Sequence, residues 1–121
     1  MVWMDIPVED LNRAVKFYSQ LMDLKFVIQE HEGMKFSLCP HSDEMAAFCL
    51  VVEPGFSACD LKHDAPLVYL NVDGRIDQAL KATLSNGGRI LKAKEQIGPY
   101  GYRAVILDSE GNRIALHSMR A

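Results

Sequence analysis

The stretch Ile6-Pro7-Val8-Glu9-Asp10-Leu11-Asn12-Arg13-Ala14-Val15-Lys16-Phe17-Tyr18 decides the fold. It reads as the end of a strand, a helix cap and the first turns of an amphipathic helix. Val2 to Val8 alternates apolar and other residues with period two, as a half-buried strand does. Asp10 is a good N-cap, because its carboxylate can accept from the free amides of the first helical turn. Leu11, Ala14, Val15, Tyr18, Leu21 and Met22 then recur at helical spacing and give one apolar stripe. Leu24 to Gln29, Met34 to Cys39 and Met45 to Val52 are three further strand candidates, parted by Glu32-Gly33 and Pro40-His41-Ser42-Asp43.

The same order is written a second time. Leu67 to Val72 alternates as a strand, and Asp73-Gly74 turns the chain. Ile76, Ala79, Leu80, Thr83 and Leu84 form a second stripe at helical spacing. Asn86-Gly87-Gly88 ends it, since glycine reaches the left-handed conformation cheaply. Arg89 to Ala93, Tyr102 to Leu107 and Arg113 to Ser118 follow as strands, with Ser109-Glu110-Gly111-Asn112 as a hairpin turn. Ile6-Pro7-Val8 aligns with Leu70-Asn71-Val72, and Ala14-Val15 with Ala79-Leu80, an offset of 64 or 65 residues. A repeat at that period is one supersecondary unit used twice. The expectation is an α+β domain of two βαβββ modules, residues 2–52 and 67–118, joined by a linker over 53–66.

Composition narrows the function classes. At 121 residues, about half of them apolar, the chain suits a single globular domain. Thirteen basic against sixteen acidic residues give −3, which argues against a general nucleic-acid surface. No apolar run approaches a membrane span, and the first residues lack the basic-then-apolar order of a secretory leader. Cys39, Cys49 and Cys59 form no CxxC pair and read as reduced thiols of a cytoplasmic protein. The glycines fall outside phosphate-binding GxGxxG and GxxxxGK patterns.

Two segments resemble the vicinal oxygen chelate superfamily, which includes glyoxalase I, bleomycin- and fosfomycin-resistance proteins and extradiol dioxygenases. One is residues 6–18, similar to that family's opening strand and "DL-x-RA-x-x-FY" helix. The other is Gly101 to Asn112, whose Asp108-Ser109-Glu110-Gly111-Asn112 is similar to its "DPEGN" hairpin with serine in place of proline. The resemblance implies modules whose sheets curl into one open, cup-shaped mixed sheet, with helices outside and a ligand inside. It also implies a homodimer, in which modules are sometimes exchanged across the cup.

Metal-dependent members hold one divalent ion in the cup with His, Gln or Glu side chains. The resemblance places the corresponding positions on Trp3, Leu67 and Ala115, and on a fourth residue within Ala47 to Val51. None of these is a strong ligand for a hard or borderline cation. The expectation is therefore no metal and no cofactor. Strand parity puts Val2, Met4, Ile6 and Val8 toward the helix and Trp3, Asp5 and Pro7 toward the cup. In the second module Val68, Leu70 and Val72 face the helix, leaving Leu67, Tyr69 and Asn71 in the cup. Ile114 and Leu116 are core, with Arg113, Ala115 and His117 opposite.

The candidate ligand-binding residues are Trp3, Asp5, Phe48, Tyr69, Asn71, Tyr100, Tyr102, Arg103 and His117, with Phe36 and Leu50 as further lining. Trp3, Tyr69 and Tyr102 suit an aromatic wall. Asp5 needs a partner if enclosed, and Arg103 or Arg113 can supply it. His117 suits a hydrogen-bonding or acid–base role. Gln96 to Gly101 reads as a rim loop carrying Tyr100. The expected function is metal-independent binding of a small amphipathic organic molecule. The alternative is a glyoxalase-like lyase or isomerase acting on a small carbonyl or vicinal-oxygen substrate, with Asp5 or His117 as base.

Overall fold

The computed structural model describes residues 3–40, 47–52 and 66–121. The elements run β1 (Trp3–Val8), α1 (Leu11–Met22), β2 (Gln29–His31), β3 (Met34–Leu38) and β4 (Ala47–Val52). They continue as β5 (Val68–Asn71), α2 (Ile76–Ser85), β6 (Arg89–Gln96), β7 (Tyr102–Leu107) and β8 (Arg113–Ser118). Each half is βαβββ. Its strands form a four-stranded sheet of order β1-β4-β3-β2 or β5-β8-β7-β6. The first strand of each half lies parallel to the last, and the other pairs are antiparallel. The eight strands thus make two ladders, both open and both mixed. The linker, apart from Pro66, and the turn at residues 41–46 lie outside the described residues, as do His41, Cys59 and His63.

The start of α1 follows the sequence pattern. Asp10 is extended and its side chain accepts from the Arg13 amide at 3.1 Å, which satisfies one orphan N–H of the first turn. Leu11, Ala14, Phe17, Tyr18 and Leu21 are buried. Asp23 closes the helix in the left-handed conformation.

One strand departs from expectation. Leu24 to Ile28 is irregular, and β2 begins only at Gln29. The cause is the turn. Glu32 and Gly33 both take positive φ, so the two-residue hairpin pairs His31 with Met34 and Gln29 with Phe36. Phe26 is instead buried under α1, its amide held by the Ser19 hydroxyl at 3.3 Å.

A single apolar cluster runs through both halves. It joins Ile6, Val8, Tyr18, Phe48 and Leu50 to Leu70, Ile76, Ala79, Ile106 and Leu116. The helices pack on one face of their own sheets and against each other, so neither module closes a core alone. Among the described residues no helix is long and apolar enough to cross a membrane.

Candidate functional site

The two segments that carry the resemblance meet at one junction. Asp108 Oδ1 accepts from the amides of Glu110 and Asn112, each at 2.8 Å. Its Oδ2 accepts from the Asn112 side-chain amide at 3.0 Å and from the Tyr18 hydroxyl. Asn112 also donates to the Pro7 carbonyl at 2.8 Å. Next to it, the Glu110 carboxylate accepts from the Glu9 and Asp10 amides at 2.9 and 2.8 Å and from Arg13 Nε at 2.6 Å. The β7–β8 turn therefore caps the start of α1 from the other module.

Charge in this junction is set by burial and hydrogen bonding in opposition. Burial pushes the Asp108 carboxyl up, and its four donors do not fully offset that. Burial also pushes Glu110 up, but Arg13, the Asp10 amide and Ser109 outweigh it and hold the carboxyl below its ordinary range. Burial, with Asp108 alongside, keeps the Tyr18 phenol protonated well beyond its usual range. These groups satisfy one another and hold the modules together, and Asp108 and Glu110, with Glu9, Arg13 and Arg89, also border an open cavity of about 260 Å³.

The candidate ligand surface is the face of each sheet that the helices leave uncovered. Strand alternation puts Trp3 and Asp5 there while Ile6 and Val8 enter the core. Trp3, Asp5, Phe36, Leu38 and Cys49 line a cavity of about 320 Å³. Trp3 is 60% exposed, as suits a wall residue open to solvent. Burial raises the Cys49 thiol, and Asp5 opposite it adds to the effect.

On the second sheet Tyr69, Asn71, Arg103 and His117 share the uncovered face. Arg103 pairs in register with His117, and His117 with Asn71. Arg103 donates through Nε to Glu95 at 2.9 Å and through Nη1 to the Tyr69 hydroxyl at 2.6 Å. His117 Nε2 sits 2.6 Å from the Tyr100 carbonyl. Asn71 accepts from the Asp73 amide at 2.9 Å and so also shapes the turn before α2.

Three candidates are corrected. Phe48 is buried on the helix side, its ring 5.4 Å from Tyr18 and 5.8 Å from Phe26. It cannot reach the face of its neighbour Cys49, because successive strand residues point to opposite sides. Leu50 follows Phe48 into the core. Tyr102 packs against that core in phase with Ala104 and Ile106, so Arg103, one residue on, takes the open face. The partner of Arg103 is Glu95 rather than Asp5. The Gln96 to Gly101 segment is a fastened 3-10 turn, closed by the Ile97 amide on the Gly101 carbonyl at 2.8 Å. Tyr100 projects from it, with its ring 71% exposed. Glu95, Phe36 and Leu38 complete the two groups. The signal for Glu95 was its place on a strand cross-paired with β7, which the β6 bulges obscure.

The metal positions can be tested on the same geometry. Tyr69 lies opposite Ala115, and Asp5 opposite Cys49. With Phe48 and Leu50 in the core, Cys49 is the central residue of β4 on the open face. Trp3, Cys49, Leu67 and Ala115 do not make an N- and O-donor set. Among the described residues no three His, Cys, Asp or Glu side chains cluster to hold an ion.

The structure is similar to a glyoxalase/bleomycin resistance protein from Albidiferax ferrireducens T118 (18% identity, TM-score 0.70, covering 98% of this chain and 97% of that one). It is similar to the fosfomycin resistance protein FosX from Mesorhizobium loti (14% identity, TM-score 0.68, covering 98% and 90%). It also matches a V278E mutant of glyoxalase I from Zea mays (18% identity, TM-score 0.73), where it covers 98% of this chain and 45% of the maize chain. No curated protein matches by sequence. The family profile described as Glyoxalase/Bleomycin resistance protein/Dioxygenase superfamily matches residues 1–116, and the chain belongs to that superfamily.

Proposed function

We propose that this protein binds a small amphipathic organic molecule on the open faces of its two sheets, without a metal ion. One observation carries the reading: the cavity beside β1 is lined by Trp3, Asp5, Phe36, Leu38 and Cys49, with Trp3 at the position where the resemblance puts a metal ligand. An apolar wall with a few polar groups is the general form of a small-molecule site. Asp5, Tyr69, Arg103 and His117 supply the polar groups. Binding without chemical change is the activity. A thermal-shift screen of small amphipathic compounds, run with a chelator present, tests it. Stabilisation by a compound recovered unchanged is the expected result, and turnover of that compound contradicts it. Metal analysis of protein purified without chelator is expected to find far less than one equivalent of Zn, Ni, Mn or Fe.

The second reading is a lyase or isomerase with Asp5 as base, favoured by the place of Asp5 on the cavity wall. Turnover of a methylglyoxal–glutathione hemithioacetal would establish it over the first.

We further propose a cytoplasmic homodimer. The buried thiol of Cys49 supports a reducing compartment. The exposure of Trp3, Met34 and Tyr69 on the uncovered faces supports a second copy completing the site. Sedimentation at several concentrations is expected to show the dimer.

A further inference from the structure

The two open faces differ in charge. On the first sheet the side chains beside the cavity are apolar apart from Asp5. On the second sheet, strand register places Lys92, Arg103 and Arg113 on the face that carries Tyr69, with the carboxylate of Glu95 among them, while Arg89, at the end of β6, lies beside Glu9 and Glu110. The whole chain carries −3, so this concentration of cations runs against its average. Lys94, by contrast, turns to the helix side and pairs with Asp77 at 3.0 Å.

Arg103 is the ordered member of that face. Glu95 holds Nε and Tyr69 holds Nη1, which fixes the guanidinium plane with about a quarter of the side chain exposed. The Tyr69 oxygen is the acceptor in its contact with Arg103, so its own proton is left to donate. Tyr69 is 45% exposed. A guanidinium edge and a phenol O–H side by side offer two donors to one oxyanion, and charge-assisted hydrogen bonds of this kind are the strong ones. The Glu95 charge is already engaged by Arg103 and, at 3.6 Å, by Lys92. A carboxylate gains more from these two donors than a neutral acceptor does.

We infer that the ligand is acidic, with a carboxylate-like head held by Arg103 and Tyr69 on the open face of the second sheet. This rests on the binding reading above and adds the class of ligand. Arg103 and Tyr69 then determine specificity.

The test compares phenylbutyrate with its neutral amide, phenylbutyramide, by calorimetric titration. The carboxylate is expected to bind about ten-fold or more tightly than the amide. Arg103→Gln is expected to remove that preference, and Tyr69→Phe to reduce it by about three-fold. Thermal unfolding confirms that each variant is folded, and Arg103→Lys checks whether charge alone suffices. It is expected to retain only part of the preference, because an ammonium cannot bridge Glu95 and Tyr69 as the guanidinium does. Equal binding of the two probes, or a preference that survives Arg103→Gln, overturns the acidic class and leaves the binding reading standing. Binding of neither probe counts against both.

Discussion

Replacing Glu110 by alanine should cost this protein a large part of its stability, although the residue lies in a turn. Its side chain has no exposed surface, and Arg13 at 2.6 Å is 49% exposed. The ion pair itself is therefore worth only about 0.5–1 kcal/mol after solvent screening. The larger loss is at the Glu9 and Asp10 amides, 2.9 and 2.8 Å from the carboxylate. Leaving two part-buried donors without an acceptor costs about 1 kcal/mol each at the low end of the usual range. The sum is about 3 kcal/mol, against a total of roughly 5–15 kcal/mol for a domain of ordinary stability. Urea unfolding of the parent, Glu110→Ala, Arg13→Ala and the double variant measures it. Arg13→Ala should lose about 1 kcal/mol, and the cycle should return a coupling of similar size. The sign with pH follows from the lowered Glu110 carboxyl. Its contribution is full above the ordinary value of 4.5 and is lost as pH falls through the folded value. The deficit of Glu110→Ala should therefore shrink in acid. A Glu110→Ala protein within about 0.5 kcal/mol of the parent at neutral pH, with an unchanged urea slope, refutes the claim that this turn clamps the modules.

Other outcomes follow from the same packing. Tyr18 is raised well above its ordinary 10.0 by burial and by Asp108, so stability should fall as pH rises past that value, where only the unfolded phenol ionises. Tyr18→Phe should remove part of that alkaline loss, at a cost of about 1–2 kcal/mol at neutral pH from the donor taken from Asp108. Burial pushes Cys39 up to about 11 from 9.0, so its thiolate fraction at pH 8 is cut about 100-fold; in a Cys59→Ser background, thiol titration of the native protein should be correspondingly slow and become fast in denaturant. Gly88→Ala should destabilise by about 1–3 kcal/mol, because a Cβ there would lie 2.7 Å from the Leu107 carbonyl oxygen and 2.8 Å from the Phe17 ring. Gly87→Ala meets no neighbour and should lose only about 1 kcal/mol, from its positive φ.

The legible parts of the fold were those where period and punctuation agree. Asp10 followed by a stripe at helical spacing could only begin a helix, and the alternation in β1 and β8 assigned each face correctly. Leu24 to Ile28 was misleading because its apolar residues suit a strand by composition, while the Glu32-Gly33 turn fixes the pairing further along. The site was legible as far as parity reaches. Tyr102 and Arg103 are neighbours on one strand and so face opposite sides, Tyr102 toward the core and Arg103 toward the open face. Phe48 shows a different limit: β4 is apolar on both faces, so its sequence carries no phase. The junction of Asp108, Glu110, Arg13 and Tyr18 was visible only as two motifs about 90 to 100 residues apart. Their contact is tertiary, and nothing local announces it.

The emission of Trp3 offers the most direct test of the central claim, since it is the only tryptophan and lines the cavity. Phenylbutyrate titrated into chelator-treated protein should change that emission saturably, with the same midpoint before and after metal removal. A response that disappears with the chelator and returns on adding Zn or Ni would contradict the account.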